Sequence, residues 1–133
     1  MIKLRISPVV KGSDCCAEVL LSEKPISFLG DVDVTNGMIK GTGHISGRIL
    51  LIPASVGSTV GSYILYALSR SGKAPLAIVA SNVDPILITG AVIGNIPLYK
   101  LLDSWDNVVN MLKRDTNKNR EGCIIKGEYL VIK

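Results

Sequence analysis

The chain is poor in the residues that carry the most specialised chemistry. Its 133 residues include one histidine and three cysteines, and aromatics make up 5%. Cys15, Cys16 and Cys123 cannot all pair; adjacent cysteines make a poor disulfide and a poor chelate, and no Cys-x-x-Cys is present. They read as reduced thiols with a packing role, so a metal cluster needed for function must take its ligands from another chain. No stretch approaches the roughly 20 consecutive apolar residues of a membrane-spanning helix. Lys3 and Arg5 interrupt the first apolar residues, leaving no signal-peptide organisation, and a cytoplasmic location is expected. The one basic run, from Lys113 to Arg120, has no interleaved aromatics on which bases would stack. It reads as a solvated surface, not a nucleic-acid site.

What is present is a high hydrophobic share of 47%, with 13 glycines and a net charge of +4. Small aliphatics in the core of an α/β domain give that balance. A chain of this length is expected to form one domain over residues 1–133 and to bury about two thirds of its unfolded surface. The modest positive excess suits an anionic small substrate.

The first half reads as β-rich and punctuated by glycine. Ile2 to Ile6 alternate as a half-buried strand, and Ala17 to Leu21 form a second. Ile26 to Leu29 is short and apolar, Asn36-Gly37 is a strong turn signal, and Met38 to Lys40 is a brief strand. The run from Arg48 to Ile52 reads as a buried strand that Pro53 ends. From Ser58 onward apolar residues fall at Ile64, Leu65 and Leu68, a helical spacing that Gly72 terminates. Ala74 to Ala80 is a fully apolar strand, so strand, helix and strand imply a parallel pair with a crossover. Asp84-Pro85 begins a helix reaching Gly94-Asn95, and Ile96 to Tyr99 returns extended. Ser104 caps a helix to Arg114 that carries Trp105, Val108, Val109 and Leu112 on one face. Thr116 to Glu121 is a polar loop before a closing hairpin around Lys126-Gly127.

The candidate site is the junction Ala54-Ser55-Val56-Gly57-Ser58-Thr59. The first N–H groups of a helix lack intrahelical partners, and the macrodipole adds roughly half a positive charge there. Gly57 lets a ligand or the chain approach without a Cβ in the way. A carboxylate, a phosphate or a serine alkoxide is stabilised at such a place. The plain structural use of Ser58 is as an N-cap. No Walker A spacing and no Gly-x-Ser-x-Gly elbow is present.

Pro25-Ile26-Ser27-Phe28-Leu29-Gly30, Asp33, Gly37, His44, Gly57-Ser58-Thr59-Val60-Gly61-Ser62-Tyr63, Ala74-Pro75, Gly90-Ala91 and Ile96-Pro97 occur in the order found in the aconitase X swivel domain. From about Gly12 to Pro97 the chain resembles that family. The resemblance implies a swivelling β/β/α domain, a β-rich layer packed on a layer containing the strand-helix-strand unit. It also implies a small subunit that pairs, as a heterodimer, with a large subunit holding a [4Fe-4S] cluster. The implied reaction is removal of water from the phosphorylated hydroxy acid (R)-5-phosphomevalonate, giving trans-anhydromevalonate 5-phosphate in an archaeal mevalonate pathway. Ser58 is then the catalytic base, with Gly57 and Thr59 against the substrate. This chain would supply no metal ligand and be inactive without its partner. Two other readings are a hydroxyproline dehydratase-type subunit of the same family and a regulatory module that binds an anion at the same helix start. The segment from His44 to Arg48 is shorter than the family's, so His44 reads as a loop or packing histidine. Asp33 and Gly30 read as turn residues, and Ser62 as a packing residue or one that bonds a preceding carbonyl.

Overall fold

The computed structural model describes residues 1–57, 59–114 and 120–133. In chain order it contains β1 (Ile2–Val10), β2 (Cys15–Leu21), α1 (Phe28–Asp31), β3 (Val32–Asp33), β4 (Met38–Ile39), β5 (Gly43–His44) and β6 (Ile49–Ile52). There follow α2 (Val60–Arg70), β7 (Ala77–Ala80), α3 (Pro85–Gly94), β8 (Leu98–Leu101), α4 (Trp105–Lys113), β9 (Arg120–Ile125) and β10 (Tyr129–Ile132). Seven strands close a barrel in the order β1-β10-β9-β2-β6-β7-β8, and β3, β4 and β5 form a small separate sheet. Strands β2, β6, β7 and β8 are mutually parallel, whereas β1, β10, β9 and β2 pair antiparallel, as do β1 and β8 where the barrel closes. The mixed α/β class is the expected one; the β-rich part and the strand-helix-strand part are joined edge to edge in a single barrel.

Side-chain alternation sorts the central strands into two cores. Ile49, Leu51, Ala77, Val79, Tyr99 and Leu101 face the barrel interior together with Leu4, Ile124, Leu130 and Ile132. Their neighbours Leu50, Ile52, Ile78, Ala80 and Leu98 point the other way, onto Leu65 and Leu68 of α2 and Leu87 and Ala91 of α3. Both faces are thus buried, which is why β6 and β7 read as unbroken apolar runs instead of alternating ones. Helices α2 and α3 pack closely. A Cβ on Gly90 would lie 2.5 Å from Leu65 Cδ1 and 3.2 Å from Ser62 Cα, so a larger residue there requires Leu65 to move and crowds the α2 backbone.

Several boundaries differ from the sequence reading. Cys16 and Cys123 are not free thiols: they form a disulfide between β2 and β9, where they are direct register partners with Cα atoms 4.1 Å apart. The two lie 107 residues apart in sequence, and it is the pairing of β9 with β2 that brings them together. Cys15, one residue along, packs against the interior core and is the free cysteine. The short apolar stretch Ile26 to Leu29, to which the sequence reading assigns no element, enters the single turn of α1, which Ser27 caps. Helix α2 begins at Val60, two residues after Ser58. Strand β7 begins at Ala77, later than expected, since Pro75 has no N–H to give the sheet. The polar loop expected from Thr116 lies largely outside the described residues, and its end, Glu121, belongs to β9. Lys126 and Gly127, at φ 56° and 68°, make the tight turn of the closing hairpin. Among the described residues no helix is long and apolar enough to cross a membrane.

Candidate active site

The carboxyl ends of the parallel strands β6 and β7 carry the loops that matter here. Beyond β6, residues 53–57 are pinned to a distant segment: the Ile26 N–H donates to the Ala54 carbonyl at 3.0 Å, and the Val56 N–H donates to the Ile26 carbonyl at 2.9 Å. Ile26 and Ser55 form a parallel bridge. The bridge brings together the two motif runs, Pro25 to Gly30 and Gly57 to Tyr63, which sequence order keeps apart.

Each side of the bridge is braced by side chains. Ser27 Oγ accepts the Gly30 N–H at 3.3 Å, and its own N–H donates to Asp31 Oδ2 at 2.8 Å, a reciprocal capping arrangement that fixes the first turn of α1. Gly57 has φ +111°, a conformation open to glycine and strained for other residues, and a Cβ there would lie 3.5 Å from Ser27 Oγ. On the other side, Ser55 Oγ donates to Asp84 Oδ2 at 3.1 Å, while Asp84 Oδ1 accepts the Leu87 N–H at 2.7 Å. One carboxylate therefore caps α3 and holds the loop after β6. Sequence reasoning places Asp84 at the start of this helix and gives Ser55 and Ser27 no role of their own. The runs Ala54-Ser55 and Ile26-Ser27 gave no local sign that they would meet.

The sequence candidates fall as follows. Ser58 lies outside the described residues. Gly57 and Thr59 flank it and are both exposed. Thr59 occupies the cap position of α2 with helical backbone angles, φ −56° and ψ −20°, and its side chain makes no capping bond. The N–H groups of Val60 and Gly61 follow in the first turn, where a helix has no acceptors of its own. Ser62 is buried and donates its hydroxyl to the Ile86 carbonyl at 2.9 Å, tying α2 to α3. Its acceptor lies on another helix, not earlier on its own. His44 sits on β5 in the small sheet, its carbonyl accepting Arg48 Nη1. Asp33 closes the β3–β4 turn: its carboxylate accepts the Asn36 side-chain and backbone N–H groups at 2.7 and 3.3 Å, and the side-chain bond is the main reason its pKa falls below the ordinary value. Gly30 is within α1 and not in a turn.

From Thr59 a mostly apolar groove of about 360 Å³ runs between α2 and α3, lined by Tyr63, Pro85, Ile86, Thr89 and Ile93. Among the described residues no group of three His, Cys, Asp or Glu side chains is placed to hold a metal. With Cys16 and Cys123 joined to each other, the thiols of this chain do not suit a cluster. What the junction offers is a glycine-opened approach, the first-turn amides of a helix and a loop braced from two sides.

Comparison with known proteins gives this geometry a setting. Residues 3–132 match the family model described as the aconitase X swivel domain. The chain is 50% identical over 93 residues to the phosphomevalonate dehydratase small subunit of Pyrococcus abyssi, an alignment covering 65% of this chain and 71% of that one. It is 44% identical over 108 residues to the protein of the same name from Thermococcus gammatolerans, covering 77% and 82%. The crystal structure of Thermococcus kodakaraensis aconitase X in its holo-form superimposes with a TM-score of 0.81 at 32% identity, covering 100% of this chain and 99% of that one.

Proposed function

The chain belongs to the aconitase X swivel-domain family, and from that premise we propose that it is the small subunit of a hydro-lyase acting on (R)-5-phosphomevalonate. The product is trans-anhydromevalonate 5-phosphate. In this reading a large subunit completes the enzyme and holds the [4Fe-4S] cluster, and the share of this chain is the proton. Ser58 takes the proton α to the substrate carboxylate, and the hydroxyl on the next carbon leaves. Its alkoxide gains from the positive end of α2 and from the amides that follow Thr59. Thr59 and the open face of Gly57 lie against the substrate.

The observation that carries the reading is the Ile26–Ser55 bridge, which sets the two family motifs side by side at the carboxyl ends of the parallel strands, where α/β proteins bind their ligands. The names of the relatives supply the substrate. The test is Ser58→Ala in the assembled two-subunit enzyme. Turnover is expected to fall by at least about 100-fold, the usual contribution of a positioned base, with the subunits still co-eluting. Unchanged turnover removes Ser58 from the mechanism. The small chain alone is expected to show no dehydration until the large subunit is added.

A further inference from the structure

A second cavity, of about 460 Å³ and polar in character, opens between the end of β2 and the small sheet. One wall is the end of β2 and the turn after it, residues 21–24; the other is the turn between β4 and β5, residues 40–42. Both walls are built features. The buried Ser22 donates its N–H to the Leu51 carbonyl of β6 at 2.9 Å and its hydroxyl to the Lys24 carbonyl at 2.9 Å. Opposite, the Lys40 N–H donates to the Asp31 carbonyl at 2.8 Å and the Thr42 N–H to the Ile39 carbonyl at 3.0 Å. Gly41 has φ +77°, and the position of a Cβ on Gly43 lies 3.4 Å from Leu20 Cδ1, so the turn rests on β2 itself.

Two lysines far apart in sequence thus line one cavity. Neither Lys24 nor Lys40 forms a salt bridge among the described residues. Of the acids nearby, Glu23, in the same wall, pairs with Lys113 Nζ at 2.7 Å, Asp31 Oδ2 accepts the Ser27 N–H, and Asp33 is bonded to Asn36 and feels the Lys40 charge as the least of the influences on it. The wall is tied to the junction through the chain: Ile26, two residues past Lys24, donates its N–H to the Ala54 carbonyl in the loop after β6.

We propose that this cavity, with Lys24 and Lys40 as its cations and the side-chain-free Gly41 as its open edge, binds the phosphate monoester of the substrate while the acidic C–H end lies at the α2 junction. The proposal rests on the function given above and adds to it the place of the dianion. Lysine suits the task because an ammonium serves a phosphate as a mobile point charge without demanding one geometry.

The test uses the two-subunit enzyme with Lys24→Gln, Lys40→Gln and the double variant. Each single change is expected to raise KM for the phosphorylated hydroxy acid about tenfold, the loss of one charged hydrogen bond. The double variant is expected to raise it further, with kcat within about twofold of wild type. Competitive inhibition by inorganic phosphate should weaken in parallel. In the full-length small chain, added inorganic phosphate should shift the amide resonances of Ser22, Lys24 and Gly41 to Gly43. An unchanged KM in the double variant overturns the proposal, even where inorganic phosphate still binds. Amide shifts centred instead on Gly57 and Thr59 overturn it too. Failure of the catalytic reading shows separately, as undiminished turnover by Ser58→Ala.

Discussion

On the antiparallel side of the barrel, β2 and β9 are joined by five register pairs and by the Cys16–Cys123 bond. At the carboxyl ends of β6 and β7 the chain is held by single contacts: Ile26 to Ala54 and Val56, Ser55 to Asp84, Ser27 to Asp31. The first side is a scaffold whose ladder bonds and covalent link resist unfolding. The second is a set of loops whose bonds are each worth about 1 kcal/mol, yet they decide where Gly57 and Thr59 sit. Stability and positioning are therefore assigned to different parts of the molecule, and changes on the two sides should have opposite signatures.

The largest stability effect belongs to the disulfide. It closes a separation of 107 residues, for which the chain-entropy model gives about 4–5 kcal/mol. Replacing Cys16 and Cys123 by Ser should lower Tm by roughly 10 °C or more, with kcat of the assembled enzyme unchanged. The oxidised, denatured protein should show a single titratable thiol, Cys15, and three after reduction. In the folded protein Cys15 should react slowly, since burial pushes its thiol pKa up. Three free thiols before reduction would remove the covalent half of the comparison.

Smaller in stability and larger in activity is the Ser55–Asp84 contact. Ser55→Ala should cost about 1 kcal/mol. Asp84→Ala should cost about 1–2 kcal/mol, since the cap of α3 goes with it. A double-mutant cycle should give a coupling of about 0.5–1.5 kcal/mol between them. In the assembled enzyme both single variants should lower kcat about tenfold at nearly constant KM, and Ser55→Thr should restore part of it. A loss of stability with kcat unchanged would show that the brace is structural only, and the two sides of the barrel would then differ in degree alone.

The same division decides what the amino-acid sequence discloses. Strands buried on both faces, the helix spacing of Ile64, Leu65 and Leu68, the Asp84-Pro85 start and the Lys126-Gly127 turn are local signals, and each marks its element to within a few residues. The junction around Gly57 was legible as a helix start for the same reason. Its braces were not. Ser27 and Ser55 are ordinary serines until the Ile26–Ser55 bridge forms, and the Cys16–Cys123 partnership exists only once β9 returns to β2. Periodicity reports which face of an element is buried; it carries no information on which distant loop will lie against it. The family resemblance reached further along the chain because the two runs that meet in space are the two that carry it.

The smallest effect expected is confined to one turn, and it tests how separate the small sheet is from both sides. The Asn36 side chain holds Asp33 below the usual carboxylate range. A carboxylate whose pKa is depressed on folding stabilises the native state above its unfolded pKa of about 3.9, and that contribution is lost as pH falls through the folded value. Asn36→Ala should therefore raise the Asp33 pKa toward the ordinary value, read by NMR titration of the carboxyl carbon, and should weaken the fold fully above the unfolded pKa and progressively less as pH falls through the folded value. Lys40 also lowers the Asp33 pKa, though as the least of the causes, so Lys40→Gln should raise it by less than Asn36→Ala does. A larger rise with Lys40→Gln than with Asn36→Ala would mean that charge, not the amide bond, governs this turn, and that Lys40 spends on Asp33 the field attributed to the polar cavity.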